Sequence, residues 1–412
     1  MRRICLLVIA LLALLPAAAA AQDPAQLKKA LTSQMRFAGA YSGAYVVNVS
    51  AEKPRVMFRW REHMPRILAS NTKLFTTTAA LARFGSEGTL GTEVLGNGKL
   101  DTEGVYRGSL WLKGGGDPTF GSRGFTKRSY GGGATVQDLA DLLEDTGIQR
   151  VTGRVYGDES AFDSLRGGPD SGYGVSVWVG PLSALSYNRG LFTEGGRGFQ
   201  ANPPAFAATR LDEALEARGV AVRRGPRAGI APGDATVLAS VDSPPMERLL
   251  RLTNKQSDNF FAETLLKDLA HLNGAVGTTR GGTRVATAFA RRLGARPRLV
   301  DGSGLARGNR ASPYSIVRLL TAMYRRDDFD PFVDSLPIAG QDGTLFDRMR
   351  RGAAKFRCRG KTGTLSNVSA LSGYCEAETG DNYAYSILMN GVYPTGARRL
   401  QDRMLQAIAK LG

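Results

Sequence analysis

A hydroxyl becomes a nucleophile when a neighbouring group takes its proton, and an amine of lowered pKa can do this without imidazole. Ser70-Asn71-Thr72-Lys73 offers both groups three residues apart. On a helix, residues at that spacing share one face. At a helix N-terminus, the dipole and free N–H groups favour developing negative charge. The pattern alone is weak, because Ser and Lys frequencies give about one chance match in a chain this long. A second match, Ser50-Ala51-Glu52-Lys53, falls in a turn between two predicted strands, where the side chains share no helix face. Lys361-Thr362-Gly363-Thr364 lies on a predicted strand. Its lysine brings a second cation, expected to lower the pKa of Lys73 and to attract an anionic substrate end. Thr362 and Thr364 can donate hydroxyl hydrogen bonds to a carboxylate, and Gly363 lets a substrate backbone lie close. Ser257-Asp258-Asn259 precedes a predicted helix: Ser257 can relay a proton and Asn259 can hold a substrate amide. The plainer alternatives are an N-cap for Ser257 and an edge-strand surface lysine for Lys361. Ser186-Tyr187-Asn188 has the same pattern but is followed by Arg-Gly rather than a helix.

Other chemistries fail on spacing or composition. Gly360-Lys361-Thr362 ends like a phosphate-binding loop, but Lys355 stands where that loop needs its first glycine. The triple glycines at 114–116 and 131–133 are not GxGxxG. Only two histidines occur, His63 in a polar stretch and His271 on a predicted helix. Both read as structural or surface residues, which excludes a Ser-His-Asp triad and a His-rich metal site. No metal or cofactor is expected.

The elements that must position these residues read as follows. Helix 26–37 precedes strands 43–50 and 55–60, and helix 71–84 ends at Gly85. A Gly-rich, β-like stretch, 88–202, holds short strands such as 108–113 and 151–157 and one helix capped by Thr135. After Pro203-Pro204 come helices at 205–218, 245–252, 260–272, 282–293 and 313–324, the last with Ser312 as N-cap and Pro313 at N1. The chain closes with strands 355–364, 368–375 and 382–392 and helix 398–411. Strands at both ends with helices between predict an α+β fold: one five-stranded antiparallel sheet covered by helices. The expected catalytic domain is 22–87 with 203–412, and 88–202 is a β-rich inserted domain.

Arg2 and Arg3, a short apolar run from Leu6 to Leu15, Pro16 and the small residues Ala19-Ala20-Ala21 read as a cleaved signal peptide over 1–21. An uncleaved anchor is the alternative. Export to a periplasm, cell envelope or extracellular space is expected. The net charge of +17, +15 once Arg2 and Arg3 leave, then points away from nucleic acid. It points to anionic wall polymers or a membrane surface, or to a solvated basic face with no partner. Cys5 leaves with the signal, so Cys358 and Cys375 remain as an even pair in an oxidising compartment. A hairpin folded about Ser366-Asn367 sets them directly opposite, at a disulfide's reach. Two separate buried cysteines are the alternative.

In the order SxxK, SxN, KTG, the three elements resemble the penicilloyl-serine transferases, penicillin-binding proteins and class A β-lactamases. The strings Ser257-Asp258-Asn259-Phe260-Phe261-Ala262-Glu263, Asp301-Gly302-Ser303-Gly304-Leu305, Gly115-Gly116-Asp117-Pro118 and Gly340-Gln341-Asp342-Gly343-Thr344-Leu345 narrow this. They resemble the low-molecular-mass class C penicillin-binding proteins, which are D-alanyl-D-alanine carboxypeptidases and endopeptidases. The resemblance covers nearly all of the mature chain, including the long insertion that class A β-lactamases lack. It implies peptidoglycan stem peptides as substrate and β-lactam antibiotics as acylating mimics. It also places Asp117 and Arg307 beside the peptide side chain, where an acid could meet the ammonium of diaminopimelate. Two departures stand out. Only 187 residues separate Ser70 from Ser257, fewer than in members with two inserted domains. Ser366 also stands where relatives often carry Gln. Two other functions fit the same elements. A β-lactamase or esterase would need fast deacylation, and a non-catalytic wall-binding scaffold would have no use for intact Ser and Lys elements.

Overall fold

The computed structural model describes residues 23–271 and 274–412. The expected signal peptide, with Cys5, lies outside the described residues.

Strand Ser42–Asn48 is buried at every position because it sits inside a five-stranded antiparallel sheet. The order is Cys358–Leu365, Val368–Glu376, Asn382–Asn390, Ser42–Asn48, Arg55–Trp60. Alternate residues serve opposite faces. Tyr45, Val47, Ala384 and Leu388 pack towards helices Lys73–Phe84, Asn259–His271 and Pro313–Met323. Ala44, Val46, Tyr385, Ile387 and Met389 pack towards helices Pro24–Phe37 and Pro394–Ala409. The α+β core with its single antiparallel sheet is the one read from the sequence. The hairpin of Cys358–Leu365 and Val368–Glu376 turns at Ser366-Asn367, so Cys358 and Cys375 are cross-strand partners, 4.0 Å apart at Cα and joined as a disulfide.

Between Phe84 and Met246 the chain builds two further sheets. One runs Ala221–Val222, Arg150–Val151, Val105–Arg107, Lys99–Leu100. The other runs Arg227–Ala228, Val155–Asp158, Leu110–Gly114, Gly91–Gly96, Thr236–Asp242. The expected boundary at 202/203 is therefore corrected. Helix Pro203–Glu216 buries Ala207, Ala208, Leu211 and Leu215 in the same cluster as Val94, Leu112 and Val155. Strand Thr236–Asp242 pairs with Gly91–Gly96, so the inserted unit runs to about residue 242. An amphipathic helix shows that it is buried but not against what. The closing strand has only Ala239 fully buried, so it carries no clean alternation. Two smaller corrections have similar causes. The predicted strand 151–157 is two strands in different sheets. A second helix, Arg123–Tyr130, forms around Gly124 because Ser122 caps Phe125 N and Gly131 takes the left-handed C-cap.

Among the described residues, no helix is long and apolar enough to cross a membrane.

Candidate active site

Ser70, the expected nucleophile, does not stand on regular helix. Ala69–Thr72 forms a 3-10 turn, and the α-helix starts at Lys73. Ala69 is buried with φ +47°, a left-handed conformation costly for a residue with a Cβ. The turn is pinned from three sides. Thr72 Oγ1 donates to Ala69 O at 2.9 Å and Asn71 Nδ2 to Lys361 O at 2.8 Å. On the third side Gly304 abuts it so closely that a Cβ there would lie 1.9 Å from Ala69 O.

Lys73 is fully buried, and its Nζ donates to Ser70 Oγ at 3.2 Å, Asn259 Oδ1 at 2.7 Å and Ser303 O at 2.8 Å. Burial lowers its pKa to about 8, while the carboxyls of Glu263, Asp258 and Asp301 act the other way. The leading cause is thus burial rather than the second cation expected to lower it. Lys361, also fully buried, donates to Thr362 O at 3.0 Å. Burial first, and then the Lys73 charge, hold it well below the ordinary lysine value. Its burial rules out the surface-lysine alternative.

Ser70, Ser257, Asn259, Thr362, Gly363 and Thr364 all line one cleft of about 1050 Å³. Ser257 has φ +58°, a second strained residue at the cleft. It is not the helix cap: Asp258 Oδ1 accepts from Phe261 N at 3.1 Å, and Asp258 is in turn paired with Arg189. Asn259 differs from expectation. Its amide lies between Lys73 Nζ and the Trp178 carbonyl, which accepts from Nδ2 at 3.1 Å. It orients the lysine while also lining the cleft. Thr362 Oγ1 donates to Thr344 Oγ1 at 2.7 Å. Gly363 has a reason the sequence reading lacked: a Cβ there would lie 2.8 Å from Leu68 O and 3.0 Å from Ser70 N.

The two residues placed beside the substrate side chain part company. Arg307 is exposed and donates to Asn367 and, at 3.4 Å, to the cleft residue Ser366. Asp117 does not reach the cleft. It is buried, its Oδ1 accepts from Thr119 N and Oγ1, and its own turn packs on Asp268, which a Cβ at Gly116 would meet at 1.9 Å. Burial pushes Asp117 up to about 7. The turn before Pro118 thus aims its acid inward. The acid on the cleft wall is Asp347.

Several further groups hold the site in place. Glu263 is buried, and its Oε1 accepts from Ser303 N at 2.8 Å and Gly302 N at 3.1 Å. Asp301 Oδ1 accepts from Gly304 N at 2.7 Å and its Oδ2 from Ala306 N at 2.7 Å. Together they fix the turn whose carbonyl holds Lys73. Burial, then Glu263, raise Asp301 to about 7. Arg398 donates to Thr364 Oγ1 at 3.1 Å and lines the cleft with Trp178, Phe346 and Arg348. Glu263 and Asp301 fall within the quoted strings 257–263 and 301–305, whereas Trp178, Phe346, Arg348 and Arg398 come from separate stretches that no local pattern marks.

Residues 24–193 and 198–411 match the D-Ala-D-Ala carboxypeptidase 3 (S13) family. The chain is 28% identical to a D-alanyl-D-alanine carboxypeptidase of Actinomadura sp. (strain R39), over 90% of this chain and 82% of that one. It is 31% identical to the carboxypeptidase DacB of Mycolicibacterium smegmatis, over 81% and 73% respectively. The crystal structure of penicillin-binding protein 4 from Haemophilus influenzae superposes with a TM-score of 0.76 at 21% identity, covering 92% of this chain and 98% of that chain. That protein has also been solved with a β-lactam, at a TM-score of 0.71 and 20% identity over 91% and 97%. These structures share the fold, and the sequence matches extend through both halves of the divided core. The chain belongs to the D-Ala-D-Ala carboxypeptidase 3 (S13) family, the low-molecular-mass class C penicillin-binding proteins.

Proposed function

We propose that this chain is an exported serine D,D-carboxypeptidase and endopeptidase of peptidoglycan, with Ser70 as nucleophile and Lys73 as its base. The observation that carries the assignment is a buried lysine, its pKa lowered to about 8, with Nζ 3.2 Å from Ser70 Oγ. Ser70 Oγ attacks the carbonyl of the D-Ala-D-Ala bond, and its proton passes to neutral Lys73. Backbone N–H groups of Ser70 and Thr364 hold the oxyanion, each worth about 3–4 kcal/mol. Ser257 with Lys361 relays the proton to the leaving amine as the C–N bond breaks. Water then cleaves the Ser70 ester, returning the hydroxyl. Lys361, Thr362 and Thr364 grip the terminal carboxylate, and Arg398 adds a guanidinium to Thr364. A β-lactam enters as a mimic of this substrate and stays on Ser70.

Support for an envelope location comes from the signal-like N-terminus, the cross-strand Cys358–Cys375 pair and the basic composition. The basic surface also fits contact with anionic wall polymers or a membrane. Thiol titration of the unreduced, denatured protein should find neither Cys358 nor Cys375 free. The central test is fluorescent penicillin labelling read by intact mass, with purified muropeptides as substrates. One adduct in wild type and none in Ser70→Ala is expected, with loss of terminal D-Ala from pentapeptides. Labelling that survives Ser70→Ala rejects the assignment.

A further inference from the structure

Beside the cleft lies a second hollow of about 610 Å³, lined by Gly340, Phe346, Arg350, Arg351 and Lys355. Three of its five walls are cationic and none is acidic. Neighbouring cations are neutralised: Arg348 pairs with Asp402, Arg359 with Asp334, and Lys255 with Asp342. Among the described residues, no ion pair takes up Arg350, Arg351 or Lys355. Three unpaired cations held together repel one another, so the arrangement gains when an anion enters.

The loop carrying them is built rather than slack. Gln406 accepts from Ala354 N at 3.1 Å and donates to Arg351 O at 2.7 Å. Met349, Gly352 and Phe356 take left-handed φ of +54°, +90° and +66°. The buried Met349 side chain anchors the first of these. Aromatic rings are interleaved with the charges. Phe346 is 56% exposed and Phe356 53% exposed, with Lys355 Nζ 4.4 Å from the Phe356 ring centroid. Rings beside guanidinium groups suit a ligand with an apolar stem and a carboxylate head. Phe346 also lines the catalytic cleft, so one ligand can lie across both cavities.

We propose that this hollow is a carboxylate subsite for the same substrate. The scissile end of a stem peptide lies at Ser70, the chain crosses Phe346, and an acidic group upstream is received by Arg350, Arg351 and Lys355. The inference rests on the peptidase reading and adds a preference for acidic over amidated stem peptides. It commits to the substrate rather than a separate polymer because Phe346 walls both the hollow and the cleft.

The test compares two synthetic pentapeptides ending in D-Ala-D-Ala. One bears free carboxylates upstream and the other has those groups amidated. Wild type should cleave the acidic peptide with kcat/KM roughly 30-fold higher, the range of one or two charge-assisted hydrogen bonds. The preference should shrink as salt rises. In Arg350→Gln/Arg351→Gln/Lys355→Gln it should vanish by loss on the acidic peptide alone, and Lys355→Gln should lose part of it. Penicillin acylation of Ser70 should be unchanged in both variants. That readout shows the fold and cleft intact and tests the peptidase reading separately. Equal rates on the two peptides in wild type, or an equal loss on both in the variants, overturns the subsite. So does inhibition by inorganic polyphosphate that the triple variant escapes while wild type shows no peptide preference, since the hollow would then serve a phosphate polymer.

Discussion

Helix Asn259–His271 carries two buried carboxyl groups five residues apart, and they meet opposite fates. Glu263 faces the turn beneath Lys73 and accepts backbone N–H groups from Gly302 and Ser303. Asp268 faces the insertion and Asp117, and among the described residues neither of its oxygens has a hydrogen-bond partner. Burial raises the pKa of both, assisted for Asp268 by Asp117. The difference lies in what replaces water. At Glu263, N–H donors stand in for it, so the acid organises a turn and through it the Lys73 amine. At Asp268 nothing does, so the group must keep its proton to stay inside.

The largest effect should follow from Glu263→Ala. It orphans two buried N–H groups, costing about 2–4 kcal/mol in urea unfolding. It also lets the Ser303 carbonyl drift from Lys73, so penicillin acylation should slow at least about tenfold. The contrast breaks if Asp268→Ala costs as much on both measures. Next is pH. Lys73 must be neutral to accept the Ser70 proton, and its pKa is about 8. The acylation rate should therefore rise with pH, running about tenfold below its plateau one unit under that midpoint. Asp268→Asn should leave this limb in place; a limb that moves would tie the insertion acid to the chemistry. The smallest effect concerns stability alone. The folded-state pKa of Asp268 lies well above its unfolded value. Its contribution to stability is therefore full at low pH and is lost as pH rises from about 4 towards the folded value. Asp268→Asn should flatten that decline, gaining about 1 kcal/mol at pH 8 and little at pH 4. A gain of equal size at both pH values would show that ionisation is not involved.

The fold was readable where patterns are local. Strand-like runs at both chain ends with helices between gave the central sheet, and the hairpin about Ser366-Asn367 gave the Cys358–Cys375 register. Proline at N1 and Ser312 as cap gave helix Pro313–Met323. The extent of the insertion was not readable, because a buried helix face does not name its partner and Thr236–Asp242 is largely exposed. At the site, the residues read from SxxK, SxN and KTG come together at one cleft, the first two at helix starts and the third inside an edge strand. The pairings between them were hidden. Nothing in Asn259 says that it will hold Lys73, and nothing in Asp117 says which way its turn faces. Arg398 and Trp178 gain their places only through long-range packing.

The strand glycine at 363 has a consequence for how such an enzyme can change. A Cβ there would press on the backbone N of Ser70. The strand and the turn that carries Ser70 are therefore locked together. Drug-evading variants that reshape this strand at its centre would damage the nucleophile with it. Such variants are expected to gather instead on the loop-borne walls at Trp178, Phe346 and Asp347, where shape can drift while the reactive hydroxyl stays in place.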